Sequence, residues 1–512
     1  MNTKKIIQYV HQCRWCDFKE EIEKSQVSRL ELTALPFDDN KKAFVVGTVK
    51  FHDDRANKFF SMPLAIKETA PSENISFIED NGKFYTDALI EPDFWQSFSK
   101  FLNQNNGQIV FPNGLILENT TFGATNMFEE LATEESKALG VEQSNTTLKI
   151  GNGKLAFKLE RMLDFMPEIN SELEVNEKLM RENATFMPKS FGGLVWRTQD
   201  GRQSAGGIVQ EFVTNKGDMW NYLQSLIQNK LEQNYLSQKD LTPQNNPEIM
   251  SLISTLHKRT SEMGEVLSRP DENPSFSPEA VDTTFIRNYE FNLSVLLNQT
   301  KNTIEENLNK LPLDIRRTTE NMLNNWDELT SNFVNPKLEK IKSLEDKGTI
   351  NRVHGDYHLG QVMVTPENDI KVIDFGGEPG LPIKERKQKY ISIRDIAGMY
   401  RSIKGYLGAV AVEDFAKKAT TPEAVSARKS WGQKAIKPLI KEATSTFLGE
   451  HKVSDPWLSL EILRKNLYEV KYEVAERPEM AYVPIQGLTE LFAQTQPQHA
   501  NENIKSSFDK AE

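Results

Sequence analysis

The chain has 512 residues, more than a single hydrophobic core sustains, so two or three domains are expected. Its 62 Lys and Arg against 73 Asp and Glu give a net charge of −11, which argues against a nucleic-acid partner held through phosphate contacts. No apolar run approaches the roughly 20 residues that span a bilayer, so no membrane partner is expected and the location reads as cytoplasmic.

Both cysteines stand in Cys13-Arg14-Trp15-Cys16, and no second CxxC or nearby HxxxH accompanies them. They read as two reduced thiols in a packed N-terminal segment rather than half of a metal or redox site. From residue 26 to about 90, β-rich runs such as 43–49 (AFVVGTV) and 62–66 (MPLAI) alternate with turn residues, which predicts a small β-rich domain. A helix is expected over 92–103. Strands follow near 107–117, 140–150 and 154–160, the last two joined at Gly151-Asn152-Gly153.

Within 154–160 (KLAFKLE) the alternation turns Lys158 away from the apolar set, which makes it the candidate ligand of a nucleotide phosphate. A helix from about residue 169 carries Glu172, Glu174 and Glu177, any of which can pair with that lysine as the αC glutamate does in kinases. Ahead of the strand, 143–147 (QSNTT) places Ser144, Asn145 and Thr146 where a protein kinase has its glycine-rich loop. Hydroxyls and backbone donors there suit phosphate oxygens, although no GxGxxG is present. The run 207–213 (GIVQEFV) reads either as a buried strand end or as an interlobe segment whose backbone, at Gln210, Glu211 and Val213, pairs with adenine.

Past Asp218 the pattern turns helical over 219–235, 247–267, 283–311 and 314–346, with apolar stripes typical of scaffold. Residues 494–512 are polar and without periodicity and are expected to fray.

This helical half is interrupted at 354–378 by HGDYHLGQVMVTPENDIKVIDFGGE. The turn formers Pro366-Glu367-Asn368-Asp369 separate two short β-rich runs and predict a hairpin with a four-residue connection. In that register Thr365 faces Ile370 and Gln361 faces Asp374. An amide oxygen and a carboxylate so placed suit one hard cation, naturally Mg²⁺. Asp356 precedes the first strand and is placed to accept a proton from an attacking hydroxyl. Protein kinases space HRDxxxxN and DFG in the same way, so a small-molecule kinase leads. A dinuclear hydrolase built on His354, Asp356 and His358 lacks further clustered histidines, since the remaining ones lie scattered at 11, 52, 257, 451 and 499.

Together with Arg14-Trp15 and Lys19, VEQSNTTL at 141–148, LEV at 173–175, QEF at 210–212, KRTSEM at 258–263, DFGGEP at 374–379, Arg386, RDIAGMYRS at 394–402 and NLYEVKYEVAERPE at 466–479, these residues resemble the bacterial maltokinases. The resemblance spans nearly the whole chain. It implies an α+β, bilobal protein-kinase-like fold related to aminoglycoside phosphotransferases, with a β-rich cap at 1–90. An intermediate domain at 91–213 would complete the nucleotide lobe, and a mostly helical lobe would follow at 214–512.

It also implies ATP and Mg²⁺ as cofactors and phosphorylation of maltose to maltose 1-phosphate for glycan synthesis. A maltose-supplying enzyme such as trehalose synthase is the implied partner. Asp356 would be the base, Gln361 and Asp374 the metal ligands, Lys158 the phosphate clamp and Glu174 its partner. The sugar would meet His354, Lys465, Tyr468 and Tyr472. The last three lie at i, i+3 and i+7, on one helical face. One departure stands out, because the family usually reads DFEGEP and this chain has Gly376. Glucosamine or another sugar as acceptor and a non-catalytic sugar- or nucleotide-binding regulator are the rival readings.

Overall fold

The computed structural model describes residues 2–53, 55–72, 74–139, 145–167, 171–378 and 381–493. The expected fraying segment 494–512 and Ser144 lie outside them. Two compact units emerge, one of residues 1–214 with 374–386, the other of 215–373 with 387–512.

The first unit holds two antiparallel sheets. One orders the strands Val27–Phe37, Lys42–Phe51, Lys58–Lys67, Lys83–Asp87 and Phe77–Asp80, and the short strand Met162–Leu163 pairs with Lys58–Lys67. The other runs Gln108–Val110, Ile116–Thr121, Ser190–Arg197, Gln203–Glu211, Leu155–Leu159, Thr146–Ile150 and Ser136–Leu139. Aromatic residues at alternate strand positions join the two. Phe44 of the first sheet meets Phe98 of the helix Phe94–Gln104, and also Phe111 and Trp196 of the second region, at ring-centroid distances of 5.7, 6.3 and 5.7 Å. Residues on both sides of position 90 therefore share one interior.

At the N-terminus, Ile6, Tyr9 and Val10 of the helix Thr3–Gln12 pack with Trp15, Cys16 and Phe18 against the other face of the first sheet. Burial pushes the Cys13 thiol up to about 12 and that of Cys16 up to about 11, so both stay protonated and unreactive at neutral pH.

The helices of the second unit close around Pro456–Glu476. Leu460, Leu463, Leu467, Val470 and Val474 recur at helical spacing and pack against Ile286, Leu293, Leu297 and Ile304 of Thr283–Asn307 and against Ile485 and Leu488. Two expected helices match Met219–Tyr235 and Pro247–Leu267. The single helix expected over 314–346 is broken into Leu313–Asn324, Trp326–Glu328, a π-helical turn at Leu329–Val334 and Asn335–Ser343. Pro336 has no N–H to donate to residue 332, and the wider π turn accommodates the missing bond.

The hairpin pairs Val362–Val364 with Ile370–Val372 in a register one residue different from the expectation: Val362 faces Val372 and Val364 faces Ile370. Gln361 thus stands across from Ile373, whose N–H donates to the Gln361 carbonyl at 3.0 Å, and not across from Asp374. The cause lies in the turn. Thr365 N–H donates to Asp369 O, Asn368 N–H donates to Thr365 O, and Asn368 takes φ +62°. That is a three-residue loop made of a type I turn and a left-handed residue, which Asn tolerates.

Truncating the fully buried Trp196 to Ala removes the ring that holds Phe44 to Phe111. A loss of about 3–5 kcal/mol is expected, read as a lower urea midpoint at unchanged slope.

Candidate active site

In the first unit Lys158 leaves the strand Leu155–Leu159 and meets three carboxylates. Its Nζ lies 2.8 Å from Asp374 Oδ1, 3.0 and 3.2 Å from the two oxygens of Glu172, and 3.8 Å from Glu160. Burial alone would lower the ammonium pKa, but the negative charges of Glu172, Asp374 and Glu160 outweigh it and hold Lys158 well above the ordinary lysine value.

The helix partner of Lys158 is Glu172, not Glu174. Two residues along the helix Ser171–Arg181 is more than half a turn, so the two glutamates face different ways, and Glu172 is the buried one. Asp374 adopts φ +65°, so its side chain leaves the pleat of the preceding strand. Gly377, at φ +81°, continues the bend, and a Cβ there would lie 3.0 Å from Arg386. At Gly376 an added Cβ would find only Asp374 Oδ1, at 3.8 Å, so space does not demand that glycine.

Other residues expected at a nucleotide are already engaged. Thr146 Oγ1 accepts from Nε and Nη2 of Arg161 at 3.2 and 3.1 Å, because that fully buried guanidinium needs acceptors. Asn145 stands just before it at the strand entrance, half-buried. Gln210 is paired on both sides, with Ala156 and Ser190, and its side chain donates to Asn176 and Ser190. Glu211 N–H donates to Lys189 O at 2.7 Å. The backbone of Gln210 and Glu211 is thus committed to the sheet, and Val213 lies beyond the ladder.

In the second unit the chain leaves the strand Thr349–Asn351 and enters His354-Gly355-Asp356. Asp395, buried in the helix Ile393–Arg401, accepts from His354 N–H at 2.8 Å and from Gly355 N–H at 3.0 Å. Burial raises the Asp395 pKa, while His354 and these two N–H groups oppose the rise. The His354 ring is fully buried and its Nε2 lies 2.9 Å from Ile373 O, so it braces the hairpin where a sugar contact was expected. Asp395 escaped the residue-by-residue reading. Its only signal was its place in RDIAGMYRS.

Asp356 Oδ1 accepts from Lys465 Nζ at 3.2 Å, and His358 Nε2 lies 3.8 Å from Asp356 Oδ2. Since His358 Nδ1 accepts from Gly360 N–H, the neutral ring carries its proton on Nε2, facing that carboxylate. Lys465 stands 4.9 Å over the Tyr468 ring, and Tyr472, half-exposed a turn farther on, carries Arg477 at 5.2 Å. These residues occupy the side of the Pro456–Glu476 helix opposite its leucine stripe. Gln361 is half-buried at the hairpin entrance. Among the described residues, no group of three or more His, Cys, Asp or Glu is placed to hold a metal by itself, and no helix is long and apolar enough to cross a membrane.

A strand lysine paired with a helix glutamate in the first unit, and an Asp-bearing loop followed by a hairpin in the second, are parts found in kinase-like folds. Three solved structures of glucosamine kinase share the fold of this chain, one of them in complex with glucosamine, ADP and inorganic phosphate. They superpose with TM-scores of 0.53, 0.55 and 0.53 at 17–18% identity, covering 91–92% of this chain and 92–96% of theirs. The chain has the α+β, bilobal kinase-like fold of those proteins. In sequence, a glucosamine kinase of Streptacidiphilus jiangxiensis is 28% identical over 139 residues, or 27% of this chain. The match spans 31% of that relative's length. No family model matches the chain.

Glu160 yields a pH prediction. Burial, reinforced by Glu172 and Asp374 and opposed by Lys158, raises its carboxyl from 4.5 to about 7. Between those values the folded chain holds a proton that the unfolded chain releases, so this group's effect on stability worsens as pH rises through the window. Glu160→Gln is expected to raise Tm at pH 8 and to change it little at pH 5. A lower Tm than wild type at pH 8 would contradict this.

Proposed function

We propose that the chain is an ATP-dependent sugar kinase that converts ATP and maltose to ADP and maltose 1-phosphate. The observation that carries the reading is the 3.2 Å contact between Lys465 and Asp356, which joins an aromatic helix face suited to a sugar to a carboxylate suited to take its proton.

Asp356 accepts the hydroxyl proton as the sugar oxygen attacks the γ-phosphorus. The bond from that phosphorus to the bridging oxygen breaks, and ADP leaves. Lys465 orients the Asp356 carboxylate and donates to the acceptor. Tyr468 and Tyr472 cover apolar ring faces of the sugar. Lys158, aimed by Glu172, neutralises phosphate oxygens, and Phe212 and Val213 follow the strand where the adenine edge is assigned. Asp374 and Gln361 supply a carboxylate and an amide oxygen, hard donors that suit Mg²⁺ together with phosphate and water. When bound there, Mg²⁺ would supply neutralisation of the charge that develops on the transferred group.

A neutral acceptor is preferred because three carboxylates on the same helix are already matched: Glu461 with Arg464, Glu469 with Arg401 and Glu473 with Arg477. An amino sugar would bring its ammonium toward Lys465. Glucosamine is the second reading, favoured by the names of the sequence and structural relatives.

An ADP-release assay over maltose, glucosamine and glucose separates them. Turnover with maltose is expected. Turnover with glucosamine alone would reassign the acceptor, and none with any sugar would overturn the kinase reading. Asp356→Asn is expected to lower kcat by about 10²–10⁴-fold with ATP affinity retained by calorimetry. Glu172→Ala is expected to weaken Mg-ATP binding by about tenfold and Glu174→Ala by much less, and equal effects would undo the assignment of Glu172.

A further inference from the structure

Behind the catalytic loop the second unit contains a cavity of about 330 Å³, within the range of small-molecule sites. Neither Asp356, Gln361 nor Lys465 lines it. Its polar lining includes Asn351, Arg352 and Asp395, with Val353 beside them, and on the helix Pro247–Leu267 Thr260 with Gly264 one turn farther on.

Three features mark it as a built site. Asn351 is 1% exposed and its amide orientation is set by Nδ2 donating to Arg352 O at 2.6 Å, which leaves a buried Oδ1 acceptor with no protein partner. Buried acceptors of this kind are costly unless something donates to them. Gly264 lies in the last turn of the helix Pro247–Leu267 without a positive φ, and a Cβ added there would meet no atom within 4 Å. The glycine opens the chamber where any other residue would begin to fill it. Finally, Arg352 and Asp395 both line the chamber, one cationic residue with one anionic, so it favours a neutral occupant over an ion.

We propose that this cavity binds a neutral, polyhydroxylated small molecule of hexose size, with a hydroxyl donating to Asn351 Oδ1 and an apolar ring face toward Leu267. Such an occupant touches Val353, which precedes His354, and Asp395, which holds the His354 and Gly355 amides. Binding is therefore coupled to the loop that carries Asp356. The coupling to turnover rests on the kinase reading. The binding itself does not.

The probe is D-glucose, titrated by calorimetry into the full chain as wild type, Gly264→Leu and Lys465→Ala. Gly264→Leu fills the cavity and is expected to weaken glucose binding by about tenfold or more, whereas Lys465→Ala leaves this binding in place. Hydrogen exchange on the unaltered protein provides a readout that needs no variant: glucose should slow exchange in 351–353 and 260–268. Full glucose affinity in Gly264→Leu, or unchanged exchange in both segments, overturns the inference. Binding lost in Lys465→Ala and kept in Gly264→Leu would place glucose at the catalytic loop, sinking the cavity site but not the kinase. Cavity binding without turnover of any sugar would leave the site standing and remove the kinase.

Discussion

The arrangement of the catalytic loop depends on one buried carboxylate. Asp395 takes the N–H groups of His354 and Gly355 together, and Gly355 can offer its amide at this angle because it sits at φ +87°, open to glycine at little cost. The His354 ring then reaches the carbonyl of Ile373. A single network of this kind sets both where Asp356 begins and where the hairpin ends. Without it two amides would be stranded away from water, a penalty that makes the geometry rigid as well as stable.

A second constraint is charge. Lys158 is the shared cation of three carboxylates, and the surplus of negative charge is concentrated where the chain bends out of the hairpin at Asp374. The bend is a left-handed residue other than glycine, a conformation that Asp adopts more readily than most side chains and that its contacts can hold. For Asp374 that contact is Lys158, so the backbone and the ion pair support each other.

Much of this was legible in the residues. Alternation in KLAFKLE turned Lys158 out of the apolar set, the turn formers marked the hairpin, and the 3.6-residue period located Met219–Tyr235 and Pro247–Leu267. What failed did so for local reasons. A loop of three residues rather than four moved Gln361 by one place, because Asn368 accepts a left-handed conformation that a count of turn formers does not reveal. Periodicity ran through Pro336 without registering the π turn. Choosing among Glu172, Glu174 and Glu177 required knowing which helix face is buried. His354 was expected at the sugar through the resemblance and Thr146 at phosphate through its hydroxyl, and the contacts with Ile373 and Arg161 depend on a tertiary arrangement that neither signal contains.

The aromatic seam from Phe44 through Phe111 and Trp196 has a further consequence. Since the N-terminal sheet and the sheet carrying Lys158 share one interior, excising either would expose the apolar face that the other covers. Protease nicks between them would leave the fragments associated. Over evolutionary drift, a change of ring size in one sheet would have to be answered in the other.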